Sequence, residues 1–254
     1  VWDYYPPIHP SKIVMLMRWA YWQFDKIASN SDRVIFLNKR LLDLRKNIGI
    51  LPESGKFPIV SIGTDISLSQ KRNHPRRVIT LGFIGVLKKS QGLDLVFDAA
   101  GELVKLFPDI RLLIIGAGPD EKYYRSRAFS SPIPTTFHGL LPIRESHNLT
   151  LLRQIDIGLA LYIPDKSNVS YYGDPSKIKD YLSLSVPVIT TDVFEFSQII
   201  KENLAGIIVQ YGNQQQFIYA IKAIKNNYNL YYSNASKLAI RYYYKRTYPL
   251  IFND

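Results

Sequence analysis

The 254-residue chain contains no cysteine, so disulfide bonds and thiolate metal sites are excluded. Histidine is scarce as well. The four histidines, His9, His74, His138 and His147, have no metal-ligand spacing, and no HExxH motif is present. We therefore expect a chemistry that needs no metal ion and no other cofactor.

Long hydrophobic runs are also missing. No apolar run approaches the roughly 18 residues that span a bilayer. No cleavable signal peptide is recognisable either, which favours the cytoplasm. The first residue is Val1 rather than Met, and no strand is expected at the start of the chain. We therefore expect a fragment of a longer protein.

Positive charge is abundant but is not concentrated anywhere. The chain has 32 Lys and Arg against 21 Asp and Glu, which gives a net charge of +11. This excess favours anionic partners such as nucleotides, phosphosugars or an acidic membrane surface. Because no Lys/Arg-rich tail is present, nucleic acid is not the expected partner.

From Val78 onward, short apolar strands alternate with helical stretches. The expected strands are Val78–Ile84, Ile110–Ile115, Thr135–His138, Ile157–Leu161, Val186–Thr190 and Gly206–Val209. The expected helices are Leu93–Phe107, Glu121–Arg127, Glu145–Gln154, Ser176–Ser183, Phe194–Lys201, Asn213–Asn226 and Leu230–Tyr244. This alternation predicts an α/β domain over residues 78–254, a doubly wound parallel sheet covered on both faces.

The first 66 residues read as a separate part, joined to that domain by a polar linker at residues 67–77. Its expected elements are a helix over Ser11–Ala28, a strand over Arg33–Leu37, a helix capped by Asn38, and a strand over Pro58–Ile62. The first helix is rich in aromatic residues around Trp19–Phe24. We expect it to be buried against a neighbouring domain, with an interfacial membrane helix as the alternative.

Ligands of an open parallel sheet collect beyond the carboxyl ends of its strands, which makes the following loops the candidates. In the run Gly82–Asp94, the strand ends at Gly85, the loop carries Lys88 and Lys89, and Gly92 opens a helix. Glycines allow close backbone approach, and a helix N-terminus favours an anion. We interpret this loop as a phosphate site; a glycine-rich turn with exposed lysines is the alternative.

Two further loops follow the next two strands. Ile114–Pro119, with Gly118, predicts a tight turn that lines one wall of the cleft. In Phe137–Pro142, the backbone around His138 and Leu140 is placed to read a nucleotide base, although a lone histidine in such a turn is more often structural.

The run Tyr172–Leu182 is the most informative stretch. Asp174 is expected to cap a helix, with Pro175 at its first position. Lys177 then lies in the first turn, where an anion is favoured, and Asp180 lies one turn further on. The cation would bind phosphate and the carboxylate ribose hydroxyls; the alternative is a surface helix with a solvated Lys–Asp pair.

Taken together, these segments resemble the C-terminal domain of GT-B fold glycosyltransferases, most of all family 4, also called group 1. The similar segments are 84–85 with 91–94, 113–119, 137–142, 154–160, 173–177 and 187–190, within a match from about Ser31 to Val209. The resemblance implies a donor-binding domain together with the remnant of a second Rossmann-like domain, residues 1–66, on the acceptor side.

The resemblance also implies a retaining transfer from a UDP- or GDP-linked sugar to a saccharide or lipid-linked acceptor. Lys177 and Asp180 would be catalytic. The donor would be bound by Gly85, Lys88, Lys89, Gln91, Gly92, Gly118, His138, Leu140, Tyr172, Gly173, Asp174, Pro175 and Ser176. An acceptor at the inner face of the membrane would fit the basic charge and the Trp19–Phe24 segment.

The chain departs from the family pattern at the donor diphosphate. Val86 and Gln91 stand where many members carry Arg and Lys, and Tyr172 stands where many carry the first of two glutamates. Lys88, Lys89 and Lys177 are expected to supply the missing positive charge. A sugar-nucleotide 2-epimerase and a non-catalytic nucleotide-binding fragment remain the alternative functions.

Overall fold

The computed structural model describes residues 9–51, 55–66, 78–141, 146–165 and 169–252. The linker predicted at residues 67–77 lies outside the described residues, as do Val1–Ile8 and Pro142.

The described strands form a six-stranded parallel sheet in the order β3-β2-β1-β4-β5-β6. The strands are β1 (Thr80–Ile84), β2 (Arg111–Ile115), β3 (Thr135–Phe137), β4 (Ile157–Ala160), β5 (Val188–Thr190) and β6 (Gly206–Ile208). Their near-continuous apolar sequences suit strands that are buried on both faces. The predicted doubly wound α/β fold is confirmed.

Helices cover both faces of this sheet. The bounds in the sheet domain are α3 (Asp94–Asp98), α4 (Ala100–Leu106), α5 (Glu121–Phe129), α6 (Ser146–Leu152), α7 (Ser176–Ser183), α8 (Glu195–Glu202), α9 (Gln214–Asn226), α10 (Tyr228–Arg241) and α11 (Tyr244–Thr247). One hydrophobic cluster joins the sheet to α3, α4, α5 and α9, and a second joins it to α6, α7, α8 and α10. The single helix expected over Leu93–Phe107 is interrupted at Ala99.

The strand order reverses between β1 and β4. From β1 the chain moves outward through β2 to β3, and from β4 it moves the other way to β6. The loops after β1 and β4 therefore face each other at the switch point, where open α/β sheets bind their ligands.

The N-terminal unit, residues 9–66 as far as described, contains α1 (Lys12–Ala28) and α2 (Lys39–Asn47). Val34, Phe36, Leu41 and Leu42 form its buried cluster. The prediction of two strands in this unit is wrong. Phe36 and Ile59 form a single parallel bridge, in which Phe36 N donates to Pro58 O and Val60 N donates to Phe36 O. A pair of segments with one bridge is too short a ladder to count as strands.

Helix α1 rests on α2 through one face. A buried ion pair between Asp25 and Arg45 fixes this contact. The opposite face carries apolar side chains at helical spacing, and they are more than 60% exposed: Ile13, Leu16, Met17, Phe24 and Ile27. The predicted burial of this segment is therefore not found among the described residues. None of the described helices is long and apolar enough to cross a membrane.

The end of the chain returns to the N-terminal unit. Thr64 N donates to Tyr242 O at 2.8 Å, and Tyr244 N donates to Thr64 O at 3.1 Å. The hydroxyl of Thr64 also donates to Ala239 O. These bonds join the N-terminal unit to the C-terminal helices across residues 67–77.

Candidate functional site

Helix α7 is held against β1 and β4 at the switch point. The hydroxyl of Tyr181 donates to Gly82 O at 2.8 Å and accepts from Ile84 N at 2.9 Å. The Tyr181 ring lies against Gly158, where a Cβ atom would overlap it. This close packing holds the second turn of α7 against β1 and β4.

Lys177 occupies that first turn and is the central residue of the site. Its side chain is 5% exposed, and its Nζ donates to Gln91 Oε1 at 2.7 Å. The amine lies 4.0 Å from the ring centroid of Phe83 and 4.8 Å from that of Tyr162, which are cation–π distances. The sequence predicted that Lys177 lies in the first turn of this helix but gave no indication of Phe83 or Tyr162.

Burial lowers the pKa of Lys177 to about 7, and the carboxylate of Asp180 opposes this shift. Burial likewise raises the pKa of Tyr162 to about 12. A buried amine whose hydrogen-bond acceptor is the neutral amide of Gln91 gains stability when an anion approaches. Electrostatics therefore favours an anionic ligand next to Lys177.

The loop after β1, Gly85–Leu93, supplies the opposite wall; we call it the β1 loop. Gly85 has φ +141°, and a Cβ atom there would lie 3.0 Å from Cε and 3.2 Å from Nζ of Lys177. Gly92 has φ +70°, and a Cβ atom there would overlap the carbonyl of Leu161. Both positions favour glycine because of their positive φ, and at Gly92 a side chain would also collide with the loop after β4.

Neighbouring loops hold the β1 loop in place. Leu87 N donates to Ala117 O, Asp120 N donates to Leu87 O, and Gly118 lies against the backbone of Leu87. The loop after β4 is attached to it through Ile163 N and Ser90 O at 3.0 Å. Gly118 thus supports the β1 loop.

The two lysines of the β1 loop differ from Lys177. Both Lys88 and Lys89 are exposed. The amine of Lys89 lies 4.3 Å from the ring centroid of Tyr123 on α5. Of these three predicted lysines, Lys177 is the one that is buried beside Gly85 and Gln91.

The loop after β3 reaches the same edge of the sheet. His138 N donates to Ile114 O, and Gly139 O accepts from Gly116 N. Gly139 has φ +63°, and the Leu140 side chain is 78% exposed. The loop thus stands beside the glycine turn after β2, with its side chains open to solvent.

The start of α7 corrects one prediction. Pro175, not Asp174, is the N-cap residue, and no side chain caps this helix. Ser176 is the first helical residue and is exposed. The physical reason is that the carboxylate of Asp174 is used elsewhere: Oδ2 accepts from Ser61 Oγ and from Ile62 N, both at 2.6 Å.

Asp174 belongs to a polar group between the two units, which we call the seam cluster: Asp174, Lys179 and Ser61. The side chains of Asp174 and Lys179 are buried, and Ser61 is half-buried. Nζ of Lys179 lies 3.4 Å from Asp174 Oδ1, 2.5 Å from Ser61 Oγ and 3.3 Å from the ring centroid of Phe196. Burial lowers the pKa of Lys179 to about 8, opposed by Asp174. Sequence reasoning missed Lys179, although its position two residues after Lys177 places it on the other side of α7.

Tyr172 also faces the N-terminal unit. Its ring packs on the cluster around Phe36 and Leu41, and burial raises the pKa of its hydroxyl. The structure therefore brings Gly85, Gln91, Gly92 and Lys177 together at the switch point, whereas Tyr172 and Asp174 lie at the contact between the units.

The described residues contain no group of three His, Asp or Glu side chains suited to a metal ion. Independence from metals stays a prediction.

A profile of the family described as "Glycosyl transferases group 1" matches residues 65–241, more than half of the chain. The chain belongs to this family. The match covers the whole sheet, the switch point and Lys177.

A curated relative is the phosphatidyl-myo-inositol mannosyltransferase of Mycobacterium leprae (strain TN). It is 25% identical over 169 residues, which are 66% of this chain and 43% of that protein. Among solved structures, a mutant of S. aureus TarM, in complex with Fondaparinux, alpha-GlcNAc-glycerol and UDP, aligns over the whole chain with a TM-score of 0.70 at 16% identity. HepE from Anabaena, in complex with UDP-glucose, aligns over 91% of the chain with a TM-score of 0.65 at 14% identity.

At these identities the two structures establish the fold alone. The chain spans 43% of the length of the mannosyltransferase, 50% of TarM and 66% of HepE.

Proposed function

We propose that this chain binds a UDP- or GDP-linked sugar at the switch point and takes part in transferring the sugar to a saccharide or lipid-linked acceptor. The observation that carries the proposal is Lys177, a buried amine beside Gly85 and Gln91 in the first turn of a helix. Family membership supports the same conclusion.

The chemistry of the leaving group explains why such an amine is needed. When the sugar leaves, negative charge grows on the β-phosphate oxygens. A preorganised cation and the free N–H groups of a helix N-terminus stabilise this charge most effectively in a site with little water. In this proposal Lys177 contacts the diphosphate, supported by the backbone of the β1 loop.

The other parts of the chain are assigned to the rest of the donor and to the acceptor side. Asp180 binds the ribose hydroxyls, and the backbone around His138–Leu140 reads the base. Residues 1–66 belong to the acceptor-side domain, and retention of the anomeric configuration is inferred from the family resemblance. In this proposal, neither binding of the donor nor transfer of the sugar needs a metal ion.

The solved relatives support a nucleotide-sugar donor, because TarM was solved with UDP and HepE with UDP-glucose. The name of the mycobacterial relative supports a lipid-linked acceptor. The net charge of +11 and the exposed apolar face of α1 are compatible with a peripheral membrane contact. Because the chain spans about half of TarM, donor binding without transfer is the second candidate.

Calorimetric titration with UDP and with GDP, each with and without magnesium, tests the donor site. We expect one nucleotide to bind without the metal. Lys177→Met should weaken this binding by about 10- to 100-fold, because it removes a hydrogen bond from a charged donor. Lys222→Met, at an exposed position of α9, removes the same net charge and should leave the affinity unchanged.

Each outcome decides the proposal. If neither nucleotide binds, or if the two lysine variants behave alike, Lys177 does not form a diphosphate site. If binding requires magnesium, the claim of metal independence fails while the site itself stands.

A further inference from the structure

We propose that Asn38 and Arg40, at the start of α2, are positioning residues that place Lys177 for diphosphate recognition. They act through the turn Tyr171–Pro175, here called the α7 turn. The inference rests on the proposed function and adds a role for the N-terminal unit in the donor site.

Asn38 has two roles at once. Its side-chain oxygen caps α2 by accepting from Leu41 N at 2.8 Å. Its Nδ2 donates to Tyr172 O at 2.9 Å and to Gly173 O at 3.3 Å. A cap needs only the oxygen, so the amide donor is available for the α7 turn.

Arg40 holds the preceding carbonyl in the sequence. Its Nη1 donates to Tyr171 O at 2.7 Å and to Val193 O at 2.6 Å. The guanidinium also lies 3.9 Å from the ring centroid of Tyr171. Three consecutive carbonyls of the α7 turn therefore accept hydrogen bonds from the first residues of α2.

Other groups of the N-terminal unit hold the rest of the turn. Ser61 and Ile62 donate to the carboxylate of Asp174, and the ring of Tyr172 packs on the cluster around Phe36. Within the turn region itself, a hydrogen bond runs from Gly173 N to Ser170 O. The conformation of the α7 turn is thus set largely by residues that lie more than a hundred positions earlier in the chain.

This turn leads directly into the site. Only Pro175 and Ser176 separate Asp174 from Lys177, and the ring of Pro175 fixes one of the intervening backbone angles. A shift of the turn is therefore transmitted to Lys177. A displacement of about an ångström is enough to remove most of the stabilisation that a charged contact provides. The hydrogen bonds from Asn38 and Arg40 to the α7 turn should therefore determine how strongly Lys177 binds the diphosphate.

The experiment compares a nucleoside diphosphate with its monophosphate on the same 254-residue chain. UDP with UMP, and GDP with GMP, are titrated into the unaltered chain, Asn38→Ser and Arg40→Met. Serine caps a helix as well as asparagine, carries no charge, and is too short to serve both carbonyls. Asn213→Ser, at the cap of α9, is the matched control, because Asn213 accepts from Gln216 N in the same way.

We expect Asn38→Ser and Arg40→Met to bind the diphosphate about tenfold more weakly and to bind the monophosphate unchanged. Asn213→Ser should leave both affinities unaltered. General loosening of the fold would weaken both nucleotides together, so the ratio of the two affinities separates positioning from a merely structural role. The double variant Asn38→Ser/Lys177→Met should match Lys177→Met alone, because the two changes remove one interaction.

The possible failures are distinguishable. If the unaltered chain does not prefer a diphosphate over a monophosphate, the proposed function fails and the inference fails with it. If the unaltered chain prefers the diphosphate and Lys177→Met removes the preference, but Asn38→Ser and Arg40→Met keep it, then the inference alone is overturned.

Discussion

Two buried lysines of α7 can be compared directly, since Lys177 and Lys179 lie two residues apart on one eight-residue helix. Both are at most 5% exposed, and burial lowers the pKa of each. A spacing of two residues turns their side chains about 200° apart, so they leave the helix on opposite sides. Lys177 reaches the switch point, whereas Lys179 reaches the N-terminal unit.

Their close contacts differ in charge, although the carboxylate of Asp180 also favours the charged form of Lys177. Lys179 lies 3.4 Å from the carboxylate of Asp174, whereas Lys177 donates to the neutral amide of Gln91. A buried cation with a permanent anion is a structural contact, and removal of one partner leaves the other charge uncompensated. A buried cation whose hydrogen-bond acceptor is neutral can bind an anionic ligand reversibly. The comparison teaches that burial by itself does not indicate function; the charge of the partner does.

The largest effect is expected at the seam. Lys179→Met should lower the free energy of unfolding by about 3–5 kcal/mol, because the carboxylate of Asp174 stays buried without its cation. Urea denaturation measures this change. Lys177→Met, the matched substitution on the other side of α7, should leave the stability unchanged or raise it.

The seam prediction has an internal check. The double variant Lys179→Met/Asp174→Asn removes both charges and should recover most of the lost stability. Equal destabilisation by the two single lysine variants would show that the two sides of α7 do not differ in the way we infer.

A smaller effect is expected when Lys177 is given a permanent anion. Gln91→Glu places a carboxylate on Nζ of Lys177 with almost no change of shape, which makes Lys177 resemble Lys179. The carboxylate should compete with the diphosphate and weaken nucleotide binding about tenfold, or about 1.4 kcal/mol. Calorimetry measures the affinity, and Gln214→Glu on the exposed start of α9 controls for the added charge. Unchanged affinity in Gln91→Glu would argue against contact between the diphosphate and Lys177.

The smallest effect is a dependence on pH. The pKa of Lys177 in the free protein is about 7, and a bound diphosphate raises it, so binding takes up a proton above pH 7. The affinity should therefore fall as the pH rises, by roughly eightfold between pH 7.5 and 8.5 from this linkage. The terminal phosphate of the nucleotide is already ionised in this range. Lys177→Arg keeps its charge at every pH tested, and its affinity should be flat; a flat profile in the unaltered chain would contradict the lowered pKa.

Much of the fold could be predicted because the signals are local. Alternating apolar strands and helices predicted the parallel sheet, and Asn38 is the N-cap expected from its residue type. The exceptions are equally physical. The stretches around Phe36 and Ile59 look like strands, but the described residues give them only one bridge, and a strand is defined by its neighbours rather than by its own sequence.

The candidate site could be predicted only in part. Lys177 and the glycines of the β1 loop were selected because a lysine in the first turn of a helix and glycines at a strand end are patterns that predict an anion site. Phe83, Tyr162 and Lys179 carry no such signal, and Asp174 was misread because a carboxylate before Pro175 has the same sequence whether it caps the helix or binds Ser61 and Lys179.

The sequence by itself determined the parallel α/β class, the order of the elements, the glycine loops and the cation in the first turn of α7. These depend on residue type, on periodicity and on spacings of a few residues. Only the tertiary structure decided which buried lysine faces the switch point and which is neutralised at the seam. That assignment depends on Gln91, Asp174 and Ser61, which come from three distant segments. The behaviour of a buried charge is set by the neighbours that the fold places around it.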